Sequence, residues 1–518
     1  MAESLYRFLK TECIANPSDR KIYFGRDITG EELLSDVEAV AAYLQSKGIG
    51  RGDVAAICLP NIPQAIVALY AVNATGATAY VLHPKTGAEY FLREIRRKKV
   101  KAVFLFDRFL KRYADGIKDI VTVSCRESDY LPFPKSLLRV TEPIVSGVES
   151  YKNIIKCNKK YEDTEPGEIA VYLNSGGTTG EPKTVCLSGE ALNSLAINVR
   201  DTARECENYV EGMGMLMALP LFHGFGLGVC VHLGLLVGYV VPITSFSPTR
   251  VVSAMKKIPV NIIVGVPGML RRLSKKRSFS GPFLKNTRLV FVGGDKLGAP
   301  VREQFESVLR KNGCHTRVME GYGLSEVAGV AAINVKNPSD GALGQPVKRV
   351  FIEVFKDGKA CPEGECGEIG VCSPSVMIGY ADGSECEYFS DGERKYLATG
   401  DIGYKIGDSV YFTGRKKRMI KIGGVNVFPS QIEEVAAEYN GVEQACAVRI
   451  SLNGKPAVKL LIVTKKEVGE DFIDGLSEHI GRSLIKYAVP KIIERTDFIK
   501  TTAIGKADYS YYERKEEQ

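Results

Sequence analysis

The sequence predicts an α/β protein: a large N-terminal domain of several subdomains, with mixed sheets flanked by helices, followed by a small mobile α+β C-terminal domain. Three observations predict it. Short apolar strand patterns alternate with amphipathic helical patterns through residues 1–170 and again through 210–350, as an α/β fold requires. From Cys361 onward the pattern changes to short strands joined by turns, and after the basic run Lys416–Lys417–Arg418 a segment with its own helix and strand patterns begins. A length of 518 residues has room for one large domain and a smaller one. The expected division is an N-terminal domain over 1–414, a hinge at 415–418 and a C-terminal domain over 419–518.

Taken in order, Ser35 and Glu38 have the spacing of a capping box. Val37, Val40, Ala41 and Leu44 then recur on one helical face until Gly48 stops it. A strand is expected over 54–59, and Pro63 opens the next helix, where a missing N–H costs nothing. The apolar run 102–106 reads as a buried strand. Residues 169–173 form a strand that runs into the glycine-rich stretch 174–183, after which Ser188 caps a helix bearing Leu192, Leu195 and Val199. The expected order there is strand, glycine loop, helix. Further strands are expected at 215–219, 261–266 and 289–292; the last segment carries a helix at 431–439 and a strand at 457–464.

Composition excludes several classes. Sixty-nine Lys and Arg against 61 Asp and Glu leave a net charge of +8, too dilute over this length for a nucleic-acid binder but compatible with anionic ligands. The basic clusters at 96–99 and 275–277 read as solvated surface. Thirteen Cys lie scattered without a CxxC pair, beside only five His, so neither a zinc site nor a disulfide frame is indicated. Cys361, Cys366 and Cys372 match no common ligand spacing, and free thiols in a reducing cytoplasm are the expectation. The N-terminus has no signal-like run, and no stretch reaches the ~18 apolar residues of a transmembrane segment.

The stretch Ser175-Gly176-Gly177-Thr178-Thr179-Gly180-Glu181-Pro182-Lys183 joins small hydroxyl residues, three glycines and a lysine. Its backbone N–H groups and hydroxyls suit a di- or triphosphate at close range. It is not a Walker A loop, because two residues separate Gly180 from Lys183. For this loop alone, a glycine turn without a ligand is the other reading.

This loop resembles the phosphate-binding signature of the adenylate-forming superfamily, which comprises acyl- and aryl-CoA ligases, adenylation domains and firefly-type luciferases. Further segments resemble that family's motifs in the family's order: PLFHGFGLG at 220–228, VFVGGDKL at 290–297, EGYGLSE at 320–326, TGD at 399–401, GRKKRMIKIGGVNVFPSQIE at 414–433 and TTAIGKADY at 501–509. The resemblance covers nearly the whole chain. It implies activation of a small-molecule carboxylic acid by ATP and Mg²⁺ through an acyl adenylate, with pyrophosphate released, and then a thioester with coenzyme A. The expected substrate is a fatty or other apolar acid, the alternatives being an aryl-CoA ligase or a stand-alone adenylation enzyme that loads an acyl carrier protein.

The same resemblance assigns residues. Ser175, Gly176, Gly177, Thr178, Thr179, Gly180 and Lys183 would hold phosphates. Glu326 would hold the metal, a hard-oxygen ligand for Mg²⁺, although a carboxylate at that place is by itself a helix-start residue. Ser325 would donate to the α-phosphate. Gly321, Tyr322 and Gly323 would border adenine, with the Tyr322 ring either stacked on it or packed in the core. Asp401 and Arg415 would meet the ribose hydroxyls, and Gly294 would lie beside adenine and the acyl chain. Lys506 would stabilise the charge that develops during adenylation, Lys417 matches the hinge, and Gly423 and Gly424 would face the acyl adenylate after the small domain rotates. The expected acyl pocket is His223, Phe225, Gly226, Gly265, Val266, Pro267, Gly294 and Tyr322, with His223 read as a gate beside the carboxylate or as a packed residue. Residues 221–224 contain no carboxylate to pair with an α-ammonium, which disfavours amino-acid substrates. Gly176, Thr184, Ser325 and the stretch 500–503 depart from the family pattern without removing a charged group.

Overall fold

In the computed structural model the residues described are 3–132, 147–157, 159–175, 183–335, 341–423, 425–452, 455–464, 468–469, 471–501 and 507–517. Runs of the first half, with Gly379–Tyr380 from later in the chain at one edge, build one sheet in the order Gly379–Tyr380, Thr184–Leu187, Val171–Asn174, Thr78–Val81, Val54–Cys58, Val100–Phe106, Val121–Cys125 and Val148–Ser150. From Val171–Asn174 onward its strands are parallel. Near-continuous Val, Ile, Ala and Phe fit a sheet covered on both faces. The helix Pro63–Ala74 is buried at every position and has proline in its first turn, as the sequence predicts.

A second, longer sheet has two characters. One part is parallel, in the order Val318–Tyr322, Leu289–Val292, Ile262–Gly265, Met213–Met217, Gly238–Pro242 and Arg20–Tyr23. The other is antiparallel and contains Gly367–Cys372, Lys395–Ile406 and Ser409–Arg415. Beyond Arg415 the strands leave these sheets: Ile420–Ile422 pairs with Val425–Val427, and Val442–Leu452, Lys455–Thr464 and Ile492–Arg495 form a separate small sheet with its own core around Ile432, Val458, Leu460 and Leu476. The short turn Lys416–Arg418 joins the two parts.

Two expectations need correction. The second helix spans Gly30–Ser46 and is capped by Thr29, whose Oγ1 accepts the Glu32 N–H at 3.2 Å. Ser35 lies inside that helix on its exposed side, and Glu38 accepts the Tyr6 hydroxyl at 2.7 Å instead of closing a capping box. The glycine-rich stretch is followed by a strand, not directly by a helix: Thr184–Leu187 pairs antiparallel with Val171–Asn174. Only then does Ser188 cap the helix Gly189–Ala203, accepting the Ala191 N–H at 3.0 Å as expected. The remaining predicted strands and the helix at Pro429–Glu438 form within a few residues of their expected bounds.

Candidate active site

Chain segments leaving the C-terminal ends of the parallel strands in both sheets converge on one cavity of about 1240 Å³, the place where open α/β sheets carry their ligands. Pro60 and Asn61 follow Val54–Cys58, His83 follows Thr78–Val81, Val266 follows Ile262–Gly265, Gly293 and Gly294 follow Leu289–Val292, and Gly323 follows Val318–Tyr322.

The glycine-rich loop is pinned at its base. Val171–Asn174 and Thr184–Leu187 pair up to Asn174 and Thr184, and the Ser175 N–H donates to the Lys183 carbonyl at 2.7 Å. Gly176, Gly177, Thr178, Thr179 and Gly180 lie outside the described residues, as do Gly424 and Lys506. Ser175 and Lys183 both line the cavity. The Lys183 ammonium sits 4.4 Å from the centre of the Tyr380 ring, and the Tyr380 hydroxyl donates to Glu326 Oε1 at 3.0 Å. Burial, and then the neighbouring Glu326 charge, push that phenol above its ordinary range. One tyrosine thus holds a cation and a carboxylate on the same wall. Ser325 and Glu326 begin the short turn Ser325–Val327, and both line the cavity.

Mg²⁺ shared with phosphates needs only one or two protein carboxylates. The half-buried Glu326, held from one side by Tyr380, fits that demand, and when bound such an ion would neutralise phosphate charge. Among the described residues no group of three or more His, Cys, Asp or Glu is placed to hold a metal.

Asp401 is 2% exposed. Its Oδ2 accepts the Tyr322 hydroxyl at 2.9 Å, and Arg415 Nε lies 3.1 Å from Oδ1. Thr399, Gly400 and Asp401 lie in an irregular stretch of the strand Lys395–Ile406, not in a free-standing turn, and Glu368 fixes them: it accepts the Gly400 N–H at 2.9 Å and pairs with Lys416 at 2.6 Å. Thr399, Gly400, Arg415, Lys416 and Lys417 face the cavity. Tyr322 and Asp401 do not line it: the Tyr322 ring is buried behind Gly321 and Gly323. Gly265 and Pro267 also lie off the cavity wall, as does Gly423, which packs against the Tyr487 ring.

Of the expected acyl pocket, His223, Phe225, Gly226, Val266 and Gly294 do line the cavity. Phe225–Leu233 is a π-helix, a wide-turned form concentrated at functional sites. A Cβ at Gly226 would stand 2.0 Å from the Pro220 carbonyl, so only glycine allows this helix to begin against that turn. At its other end His232 is buried: its Nε2 lies 2.9 Å from Asn193 Oδ1 and its Nδ1 accepts from the Tyr70 hydroxyl at 2.8 Å. Burial pushes this imidazole down to about 3, so it stays neutral and acts as a fixed bolt. The wall contributed by this helix and its neighbours is aliphatic, with Val199, Met215, Val229, Leu233 and Val237.

Several lining residues escape a sequence reading. Tyr380 is one. His83 is another: its ring lies 4.5 Å from Phe222, which in turn lies 4.6 Å from His223. Each follows or belongs to a short strand, which is the only local signal either carries. Thr501, at the start of the stretch bearing Lys506, also lines the cavity. The small domain meets the large one through Lys296 and Glu434 at 2.5 Å and through Arg271, which donates to the Glu443 carbonyl at 3.1 Å.

A glycine-rich stretch pinned at its base, a carboxylate held by Tyr380 and the cations Lys183, Arg415 and Lys416 around one cleft are the build of a nucleotide-using enzyme of two-part α/β fold. The chain belongs to the AMP-binding enzyme family: the family model matches residues 9–381, and the model of the AMP-binding enzyme C-terminal domain matches residues 431–506. It is 28% identical over 514 residues to a long-chain-fatty-acid–CoA ligase of Bacillus subtilis (strain 168), covering 93% of this chain and 89% of that protein. It is 24% identical to 4-coumarate–CoA ligase CCL1 of Humulus lupulus over 96% of this chain and 89% of that one. Its fold matches the o-succinylbenzoate CoA synthetase of Bacillus subtilis in complex with an acyl-adenylate intermediate, with a TM-score of 0.79 and 22% identity over 98% of both chains.

Proposed function

We propose that this AMP-binding enzyme is an AMP-forming acid–thiol ligase that activates a fatty or other apolar carboxylic acid with ATP and transfers the acyl group to coenzyme A. The family and its CoA-ligase relatives support the reaction class. The observation that carries the substrate class is the aliphatic wall of the cavity, Val199, Met215, Val229, Leu233 and Val237.

In this reading Ser175, Lys183 and the glycine loop hold the phosphates, Glu326 holds Mg²⁺ in the orientation set by Tyr380, and Ser325 donates to the α-phosphate. Arg415 reaches the ribose, with Asp401 kept in place by Tyr322. Attack of a carboxylate on phosphorus brings two anions together, so cations must converge on the reacting atoms. Lys506 supplies the cation on the small domain, which begins after a hinge at 415–418.

Purified protein incubated with ATP, Mg²⁺ and a panel of acids is expected to exchange labelled pyrophosphate into ATP best with aliphatic acids, and to form a thioester when CoA is added. Lys506→Ala is expected to abolish exchange while nucleotide still binds. A preference for aromatic acids would replace the fatty reading by the aryl one, and adenylate formation without any CoA product would overturn the ligase reading.

A further inference from the structure

Three residues that the nucleotide site does not use connect the hinge to the stretch that carries Lys506. Arg418 directly follows Lys417. Its guanidinium lies 3.3 Å from the centre of the Tyr509 ring, its Nη2 donates to the Ala447 carbonyl at 3.1 Å, and the same nitrogen is 3.4 Å from Glu433 Oε1. Glu433 also accepts the Ala447 N–H at 2.8 Å and the Tyr509 hydroxyl at 3.3 Å. Only 10% of the Arg418 side chain and 16% of the Glu433 side chain are exposed. A buried ion pair adds little net stability, because desolvation offsets its attraction, but it fixes geometry where several hydrogen bonds converge.

Tyr509 stands three residues after Lys506. Ala507 pairs with Thr501 across the stretch 502–506, the Asp508 N–H donates to the Lys500 carbonyl at 2.8 Å, and the Lys500 N–H donates to the Tyr512 hydroxyl at 2.7 Å. Ile499, Ala507, Tyr509 and Tyr512 pack on Cys446, Val448 and Leu461. Both stems of the lysine-bearing stretch are therefore fastened to the small sheet, and one stem is fastened directly to the residue at which the hinge ends.

We propose that Arg418, Glu433 and Tyr509 are positioning residues that lock the stem 507–509 to the residue after Lys417, so that a backbone change at the hinge moves this stem, and with it the stretch that carries Lys506, as one piece with the small sheet. The proposal rests on the role given to Lys506 above. None of the three touches the reacting atoms; they act through the stem they hold.

The test separates the two half-reactions. Arg418→Met keeps the aliphatic stem and removes the fork, and Tyr509→Phe keeps the ring and removes the hydroxyl. Both are expected to lower kcat for acid-dependent pyrophosphate exchange about ten- to a hundredfold, the cost of a misplacement near 1 Å. KM for ATP is expected to stay within about twofold, because no nucleotide contact is lost. Thioester formation from synthetic acyl adenylate and CoA, which makes no use of Lys506, is expected to run at the wild-type rate. Equal loss in both half-reactions, as from general destabilisation, would overturn the proposal, and so would an unchanged exchange kcat. Amide hydrogen exchange at Ala507 and Asp508, expected to quicken in Arg418→Met, gives a readout independent of catalysis. Protected amides there would sink the positioning role alone, whereas wild-type protein inert towards every acid would sink the proposed function.

Discussion

Replacing Tyr380 by Phe removes one hydroxyl and leaves the ring, so the Lys183 ammonium keeps its aromatic partner at 4.4 Å while Glu326 loses its 3.0 Å donor. A hydrogen bond to a charged group contributes about 1.5–3 kcal/mol when buried. Tyr380 and Glu326 are both half-buried, so water compensates in part and about 1–2 kcal/mol remains. At 1.4 kcal/mol per factor of ten, the Mg²⁺ concentration for half-maximal pyrophosphate exchange is expected to rise about 5- to 30-fold. Titrating Mg²⁺ at saturating ATP and acid measures it directly, and KM for the acid serves as the internal control. A Mg²⁺ midpoint within about twofold of wild type would refute the assignment of Tyr380 as the group that aims Glu326. A parallel fall in thermal stability and in both substrates' affinities would refute it equally, since the tyrosine would then serve packing alone.

Other outcomes follow from the same structure. Burial pushes the Asp36 carboxyl up to about 6 from an ordinary 3.8, against the opposing hydrogen bond from Tyr130. The folded state then holds this proton more tightly than the unfolded one, so stability falls as pH rises from about 4 through about 6. Asp36→Asn, which still accepts from Tyr130, is expected to raise stability by on the order of 2–3 kcal/mol at pH 8 and by little near pH 4, as read from denaturant midpoints at both pH values. Tyr322→Phe leaves the buried Asp401 without one of its donors and is expected to raise KM for ATP about tenfold, with discrimination between ATP and 2′-deoxy-ATP reduced. Leu233→Phe narrows the aliphatic wall and is expected to shift the preferred acid to a shorter chain without changing KM for ATP, as measured by pyrophosphate exchange across a chain-length series.

What could be read in the sequence was local. Pro63 and Ser188 mark helix starts through a missing N–H and a hydroxyl acceptor, and both start the helices expected of them. The capping box at Ser35 misled because Thr29 offers the same chemistry earlier, and the longer helix buries more apolar surface: Leu33, Val37, Val40, Ala41 and Leu44 are all inside. The strand Thr184–Leu187 is illegible in the sequence because a run of four residues is too short to show a period, and its identity comes from pairing with Val171–Asn174 on one side and Gly379–Tyr380 on the other. Tyr380 was illegible for the same reason. It lies 54 residues from Glu326, and only that long-range pairing makes them neighbours. The position of Tyr322 follows from strand alternation: Gly321 and Gly323 leave the backbone bare at the cavity wall while the residue between them points into the core.

The wide-turned helix Phe225–Leu233 carries a consequence for how such a wall changes over time. An ordinary helix closes each turn with a bond four residues back and a π-helix five, so the latter holds a surplus residue. Deleting one residue there would restore ordinary winding while the residues after the deletion kept their places, because the wide turn is what absorbs the surplus one. The change would be confined to the wall that Phe225, Gly226, Val229 and Leu233 line, and the strand Gly238–Pro242 that follows would keep its register with Met213–Met217. A single-codon loss is therefore expected to reshape this wall without disturbing the sheet behind it.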